Sequence, residues 1–261
     1  MSLEPQRTGP LTERHVVLVR GLIRSRFHWH SFPRTLLQQN AIHDVVLPEL
    51  AGNGDRHLES TPFGIHAMME DIRQQARMLL ADHVASVCVV GISMGGMIAT
   101  EWAKQYPDEV RELHLINTSF GCCSRPWQRM KPPALSRLLK NLTNPLKLEQ
   151  AIAELTLNTP PPSTLMREWL EFAREHPVST ANTLTQVMSA ARYRGHQQAP
   201  AAPSFFYSSS KDRLVSGRCS EAIASRWNAP ISIHPEAGHD LPLDDPDWLI
   251  DQIVRNSLST Q

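Results

Sequence analysis

Gly91-Ile92-Ser93-Met94-Gly95-Gly96 places one serine among small residues, directly after the apolar run Ser86–Gly91 (SVCVVG) and directly before the helical run MIATEWAKQY. A serine on a tight strand-to-helix turn needs small neighbours on both flanks, because larger side chains would collide with the adjoining strand and helix. Such a turn projects the hydroxyl above the sheet edge. The first N–H groups of the following helix then point to where negative charge would gather during attack on a carbonyl carbon. Ser93 is therefore the candidate nucleophile. The motif also suits an ordinary glycine-rich turn whose serine caps a helix, so its strand–turn–helix setting and its partners must carry the assignment.

A serine hydroxyl is a weak nucleophile at neutral pH and requires a base within hydrogen-bond reach. His239, in PEAGHDLPLDDP just past the run Ile231–His234 (ISIH), is the candidate base, and Gly238 before it lets the backbone bring the imidazole close. Asp212, in SSSKDRLV just past Ser204–Ser208 (SFFYS), is the candidate acid that orients this base. Each signal alone is weak: a loop aspartate is commonly a turn former, and the chain has 12 histidines. Their order, and their placement after successive predicted strands, joins them. Asp240, Asp244 and Asp245 follow His239 and read as loop and helix-start residues. For an oxyanion, the backbone N–H of Met94 is the first candidate donor. The second is that of Leu22, in the loop Arg20-Gly21-Leu22.

A sheet has to carry these residues. Apolar runs at His15–Arg20, Asp44–Leu47, Ser86–Gly91, Leu113–Asn117, Ser204–Ser208 and Ile231–His234 have the near-continuous hydrophobicity of strands buried on both faces. Helical spacing intervenes, as in Ala67–His83, where Met68, Ile72, Ala76, Leu79 and Leu80 share one stripe, and in Met97–Tyr106, which stops at Pro107. The alternation predicts a parallel sheet with crossover helices on both faces. It breaks down between about residues 121 and 203. Pro132-Pro133 and Pro160–Pro162 fall there, followed by helical patterns at Glu168–His176 and Thr180–Arg194. An all-helical insertion lying as a cap over the carboxyl edge of the sheet is the simplest reading. The expected division is a core formed by residues 1–120 and 204–261 with a cap at 121–203.

Lys plus Arg and Asp plus Glu each total 26, which leaves no cationic excess to hold nucleic acid or an anionic membrane. The opening MSLEPQRTGPLTERH lacks the apolar core of a signal peptide, and no window reaches the roughly 20 apolar residues of a spanning helix; a cytoplasmic protein is expected. The four cysteines suggest neither a disulfide framework nor a metal clip and are read as free thiols. His28 and His30 stand at alternate positions that could share a metal, but nothing completes a ligand set, so no metal is expected. The G-x-G-x-x-G pattern of dinucleotide binders is absent and no cofactor is expected. The expected partner is a small-molecule ester, bound by a monomer or homodimer.

With these residues in place the chain resembles, over nearly its whole length, the α/β-hydrolase superfamily, in particular its small capped serine esterases and C–C hydrolases. Beyond GISMGG, the segment PELAGNGDR (Pro48–Arg56) is similar to the family's D-x-P-G-x-G-x-S loop, and YPDEVRELHLIN (Tyr106–Asn117) to its Y-P-x-x-V-x-x-L-V-L-I run. Trp29 matches a tryptophan that often follows the oxyanion loop, and AGHDLPLDDP is similar to the loop G-H-x-x-x-x-E/D-x-P. The chain departs from the pattern at Arg20-Gly21, where the family commonly has His-Gly, and at Pro48-Glu49-Leu50-Ala51-Gly52, where it has aspartate-x-proline-glycine. Arg20 could bring a positive charge to the site or be held in a salt bridge.

The resemblance implies an α/β-hydrolase fold: a mostly parallel sheet of about six main strands, with a helical cap inserted before the last two. It implies a serine hydrolase with a Ser-His-Asp triad, acting on a carboxylic ester through an acyl-enzyme. Thioester hydrolysis and C–C bond cleavage are alternatives within the fold. A non-catalytic ligand-binding protein on the same scaffold is the reading from another class. Arg20, Trp29, Trp169 and Phe172 are the candidate substrate-pocket residues, although the helical spacing of the last two suits internal packing as well.

Overall fold

The computed structural model describes residues 14–258; most of the amino-terminal stretch MSLEPQRTGPLTERH, which lacks the apolar core of a signal peptide, lies outside them. The first part of the core runs β1 (Arg14–Val19), α1 (Phe32–Leu37), β2 (Ile42–Val46), α2 (Ile65–Leu79), β3 (Val87–Ile92), α3 (Met94–Gln105) and β4 (Val110–Ile116). Helices α4 (Pro126–Arg129), α5 (Pro132–Asn141), α6 (Pro145–Thr156), α7 (Ser163–Glu175) and α8 (Thr180–Arg192) follow without an intervening strand. The chain then returns through β5 (Ser204–Ser209), α9 (Arg218–Trp227), β6 (Ile231–His234), α10 (Leu241–Asp244) and α11 (Pro246–Leu258).

Six strands form one sheet in the order β2-β1-β3-β4-β5-β6, each pair parallel. Every residue of β3 and of β5 is buried, whereas the edge strand β6 is partly exposed. Continuous hydrophobicity is what a central strand covered on both faces requires, and strand alternation divides it between two cores. Val17, Val19, Val89, Leu113 and Phe206 pack with Ile72, Trp102 and Ile223 on one face. Val16, Leu18, Val90, Ile116 and Tyr207 pack with Phe32, Leu36, Leu249 and Ile253 on the other. After β2 the chain crosses back over β1 to lay down β3, so the carboxyl ends of β1 and β3 flank the point where the winding reverses. Open parallel sheets bind ligands at such a switch point.

None of the helices among the described residues is long and apolar enough to cross a membrane. Cys88, Cys122, Cys123 and Cys219 are free thiols.

One buried polar cluster ties the last helix to the sheet. Arg14 Nε donates to Glu112 Oε1 at 3.3 Å and its Nη2 donates to the Ser257 carbonyl at 2.5 Å. Ser257 Oγ donates to Glu112 Oε2 at 2.5 Å, and His114 lies 2.8 Å from the Tyr207 hydroxyl. Burial alone would push the Glu112 carboxyl up, but hydrogen bonds with His114 and Ser257 and the charge of Arg14 outweigh it and hold the group at about 2. A carboxylate depressed on folding stabilises the native state fully above its ordinary value of 4.5 and loses that contribution as pH falls towards 2. Glu112→Gln leaves Arg14 without its counter-charge in the core, and should lower the unfolding free energy at pH 7 by about 3 kcal/mol or more. Denaturant titrations of both proteins should show the gap narrowing below pH 4.5; a gap independent of pH would contradict this role for the carboxylate.

Candidate active site

The turn after β3 is set by backbone crowding. A methyl group on Gly95 would lie 2.2 Å from the Val19 carbonyl oxygen, and one on Gly91 would lie 2.4 Å from the Gly95 carbonyl oxygen. Only hydrogen fits at either position, so β3, α3 and the end of β1 meet at contact distance. Ser93 between them takes φ 57° and ψ −118°, a left-handed geometry costing a non-glycine residue on the order of 1–3 kcal/mol. Its N–H donates to the Ile116 carbonyl at 2.8 Å, and its own carbonyl accepts from Gly96 N–H at 3.0 Å and Thr118 Oγ1 at 2.8 Å. These bonds from the neighbouring strand end and from α3 hold the strained turn.

Asp212 lies three residues beyond β5. Its Oδ1 accepts the N–H groups of Leu214 at 2.7 Å and Val215 at 2.9 Å, which fixes the carboxylate plane. Oδ2 is 2.6 Å from Nδ1 of His239, and both side chains are buried. A carboxylate only accepts, so Nδ1 carries the proton and Nε2 is left as the acceptor of the neutral ring. The loop of His239 is anchored separately. Asn117, at the end of β4, donates through Nδ2 to the His239 carbonyl at 2.8 Å and to Ser209 Oγ at 3.0 Å. Asp240 N–H donates to the Thr156 carbonyl of α6 at 2.9 Å. Gly238 abuts that same carbonyl, where a side chain would approach to 2.5 Å; its smallness accommodates the helical insertion.

Ser93 and His239 line one cavity of about 40 Å3, room for about one to three waters. The loop after β1 forms another side, close enough that a methyl on Gly21 would come within 3.1 Å of Ser93 Cβ. Neither the Leu22 nor the Met94 backbone N–H meets a hydrogen-bond acceptor among the described residues. Ile23, Leu138, Ile152, Leu155 and Leu214 make the wall apolar; three of the five come from α5 and α6 of the insertion.

Arg20 reaches this cavity as half of a buried ion pair. Its two terminal nitrogens donate to the two carboxylate oxygens of Asp240 at 3.0 and 2.5 Å, and its guanidinium lies 4.8 Å over the Trp29 ring. Burial would raise the Asp240 carboxyl, but the Arg20 charge and hydrogen bonds hold it below the usual range. The arginine's charge is therefore spent within the fold. Trp29, Trp169 and Phe172 do not line the cavity. Trp29 is fully buried against Phe32 in the core beneath the sheet. Trp169 packs with Ala153 and Leu157 under the Arg24 guanidinium, while Phe172, one turn on, stacks on Phe27 at 4.4 Å. That face of α7 meets the segment around His28. His28 is buried beside Ser25 and Glu149, and His30 contacts Ser31. No group of three or more His, Cys, Asp or Glu side chains among the described residues is placed to hold a metal.

Asn117, Asp240 and the carbonyl of Thr156 were not signalled as site residues by the sequence. An asparagine closing the run LHLIN was the one available hint.

A sequence pattern described as the alpha/beta hydrolase family matches residues 16–252. Over 247 aligned residues the chain is 25% identical to the pimeloyl-(acyl-carrier protein) methyl ester esterase of Yersinia enterocolitica serotype O:8, covering 88% of this chain and 92% of that protein. An esterase from Exiguobacterium antarcticum superposes with a TM-score of 0.76 at 15% identity, over 93% of this chain and 91% of the other. The 2-hydroxy-6-oxo-6-phenylhexa-2,4-dienoate hydrolase of Rhodococcus sp. strain RHA1 superposes with a TM-score of 0.76 at 18% identity, over 95% and 92%. Both superpositions bear on the fold alone. The match across residues 16–252, joined to the six-stranded parallel sheet, means that this chain belongs to the alpha/beta hydrolase family.

Proposed function

We propose that the chain hydrolyses a small, uncharged carboxylic ester through an acyl-enzyme on Ser93, with His239 as base and Asp212 orienting it. The observation that carries this reading is the 2.6 Å contact of Asp212 with His239 Nδ1, which leaves Nε2 as acceptor in the cavity that Ser93 lines. As Ser93 Oγ bonds to the carbonyl carbon, His239 Nε2 takes its proton, and the carbonyl oxygen gains the negative charge. The N–H groups of Leu22 and Met94 receive that oxygen. Collapse breaks the bond to the alcohol, which leaves with the proton from the imidazolium. Water then repeats the steps, releasing the acid and restoring the serine. The methyl ester esterase named above supports an ester bond over the alternatives, and the apolar wall supports an uncharged group at the reacting carbonyl.

Ser93→Ala should lower turnover of nitrophenyl acetate by about four orders of magnitude or more while leaving the unfolding midpoint unchanged. Asp212→Asn should lower kcat by about 10^3–10^4-fold with a smaller effect on KM. A fluorophosphonate should label the native protein at Ser93, as mapped by peptide mass spectrometry. A folded, unlabelled protein without esterase activity would favour a non-catalytic binding role on the same scaffold.

The cavity volume sets a size preference. In a series of nitrophenyl esters the shortest acyl chains should turn over fastest, and Leu138→Ala, which removes part of the wall, should shift the optimum towards longer chains. An unchanged chain-length profile in that variant would place the acyl group elsewhere.

A further inference from the structure

We propose that Gln186, carried by α8 of the helical insertion, is a positioning residue that sets the direction of the Leu22 N–H, so that the oxyanion site is complete only with α8 in place. This inference rests on the reading of Ser93 as nucleophile and Leu22 as oxyanion donor. Gln186 is fully buried, and its Oε1 accepts the backbone N–H of Ile23 at 2.9 Å. Its Nε2 donates to Asn53 Oδ1 at 2.8 Å and lies 3.3 Å from Thr61 Oγ1; Asn53 Nδ2 in turn donates to the Arg24 carbonyl at 3.0 Å. One amide thus grips the loop at Ile23, and through Asn53 it grips the next residue as well.

The loop needs such a grip because Ile23 has φ 57°. A β-branched residue in the left-handed region is strained and returns to negative φ unless its surroundings forbid it. Within the loop itself the turn is closed only by Arg24 N–H on the Gly21 carbonyl, at 3.3 Å. The Arg20–Asp240 pair fixes the loop before Leu22, and Arg24 Nη1 bonded to Glu149 Oε1 at 2.5 Å fixes it after Ile23. Between these two anchors, the peptide joining Leu22 to Ile23 is held by Gln186. Losing that acceptor frees Ile23 to relax, and rotation there swings the adjoining Leu22 backbone away from Ser93.

Oxyanion stabilisation acts on the transition state, so its loss appears in kcat and in the affinity of tetrahedral adducts more than in KM. The test compares Gln186→Leu, which keeps shape but removes the acceptor, with Gln186→Asn, which draws the amide back by one methylene and serves if leucine is not tolerated. Asn182→Ala is the control for lost cap hydrogen bonding. Asn182 is buried on the same helix and bonds Thr61 N–H and the Glu59 carbonyl, with no hydrogen bond of its own to the loop after β1. Kinetics on nitrophenyl acetate, Ki for a trifluoromethyl ketone that adds to the serine, and unfolding midpoints are measured for each. Both Gln186 variants should lose roughly 10- to 100-fold in kcat, raise the ketone Ki by a similar factor and change KM less than about threefold; one donor is commonly worth about 10^2 to 10^3. Asn182→Ala should keep kcat within about twofold. The inference is overturned if folded Gln186 variants retain kcat and ketone affinity while Ser93→Ala is inactive, or if Asn182→Ala loses kcat equally. An active Ser93→Ala protein would instead remove the underlying reading.

Discussion

At the end of β3 three pieces of backbone approach so closely that side chains are excluded from two positions. The Gly95 α-carbon faces the Val19 and Arg20 carbonyls, and Gly91 faces the start of α3. This contact forces the serine between them into its strained conformation, and it fixes how near the loop after β1 lies to the loop after β3. The candidate nucleophile and both candidate oxyanion donors depend on it. Because β1 and β3 are neighbours at the point where the sheet's winding reverses, their carboxyl ends open onto one hollow. The remaining strands bring Asp212 and His239 to the same rim.

The electrostatics of the hollow follow from pairing. Two arginines stand beside it, yet Arg20 is bonded to Asp240 and Arg24 to Glu149, all four buried. Glu149 is held at about 2: burial pushes it up, and the Arg24 charge together with hydrogen bonds from Arg24 and His28 prevails. The charges therefore cancel locally and serve as joints: one from the loop after β1 to the histidine loop, the other from that loop to α6. What faces an incoming molecule is mostly aliphatic. In such surroundings unscreened dipoles act strongly, which suits a reaction whose charge appears only as it proceeds.

The strands were legible because central parallel strands need apolar residues at consecutive positions, and runs such as SVCVVG and SFFYS have no other ready use. The serine turn was legible because its glycines answer a steric requirement visible in one short segment. Within the all-helical insertion the separate helices α5 and α6 were not, since a proline opens each of them and resembles a stop in the local pattern. Pro132 and Pro145 stand in the first turn, where a missing N–H costs nothing. The spacing of Trp169 and Phe172 told that they share a helix face but not which neighbour that face meets, and it meets the His28 segment instead of the cavity. Arg20 and Asp240 are 220 residues apart; no local pattern could pair them. The glutamine of α8 was invisible for the same reason, as its significance lies in the backbone N–H it accepts.

The geometry of a trapped intermediate is the most direct test of Ser93 as nucleophile with Leu22 and Met94 as donors. A crystal structure of the protein reacted with diethyl nitrophenyl phosphate should show phosphorus bonded to Ser93 Oγ, the phosphoryl oxygen within about 3 Å of both the Leu22 and Met94 nitrogens, and His239 Nε2 turned towards the adduct. Phosphorus on another residue, or a phosphoryl oxygen directed away from those two N–H groups, would contradict that assignment.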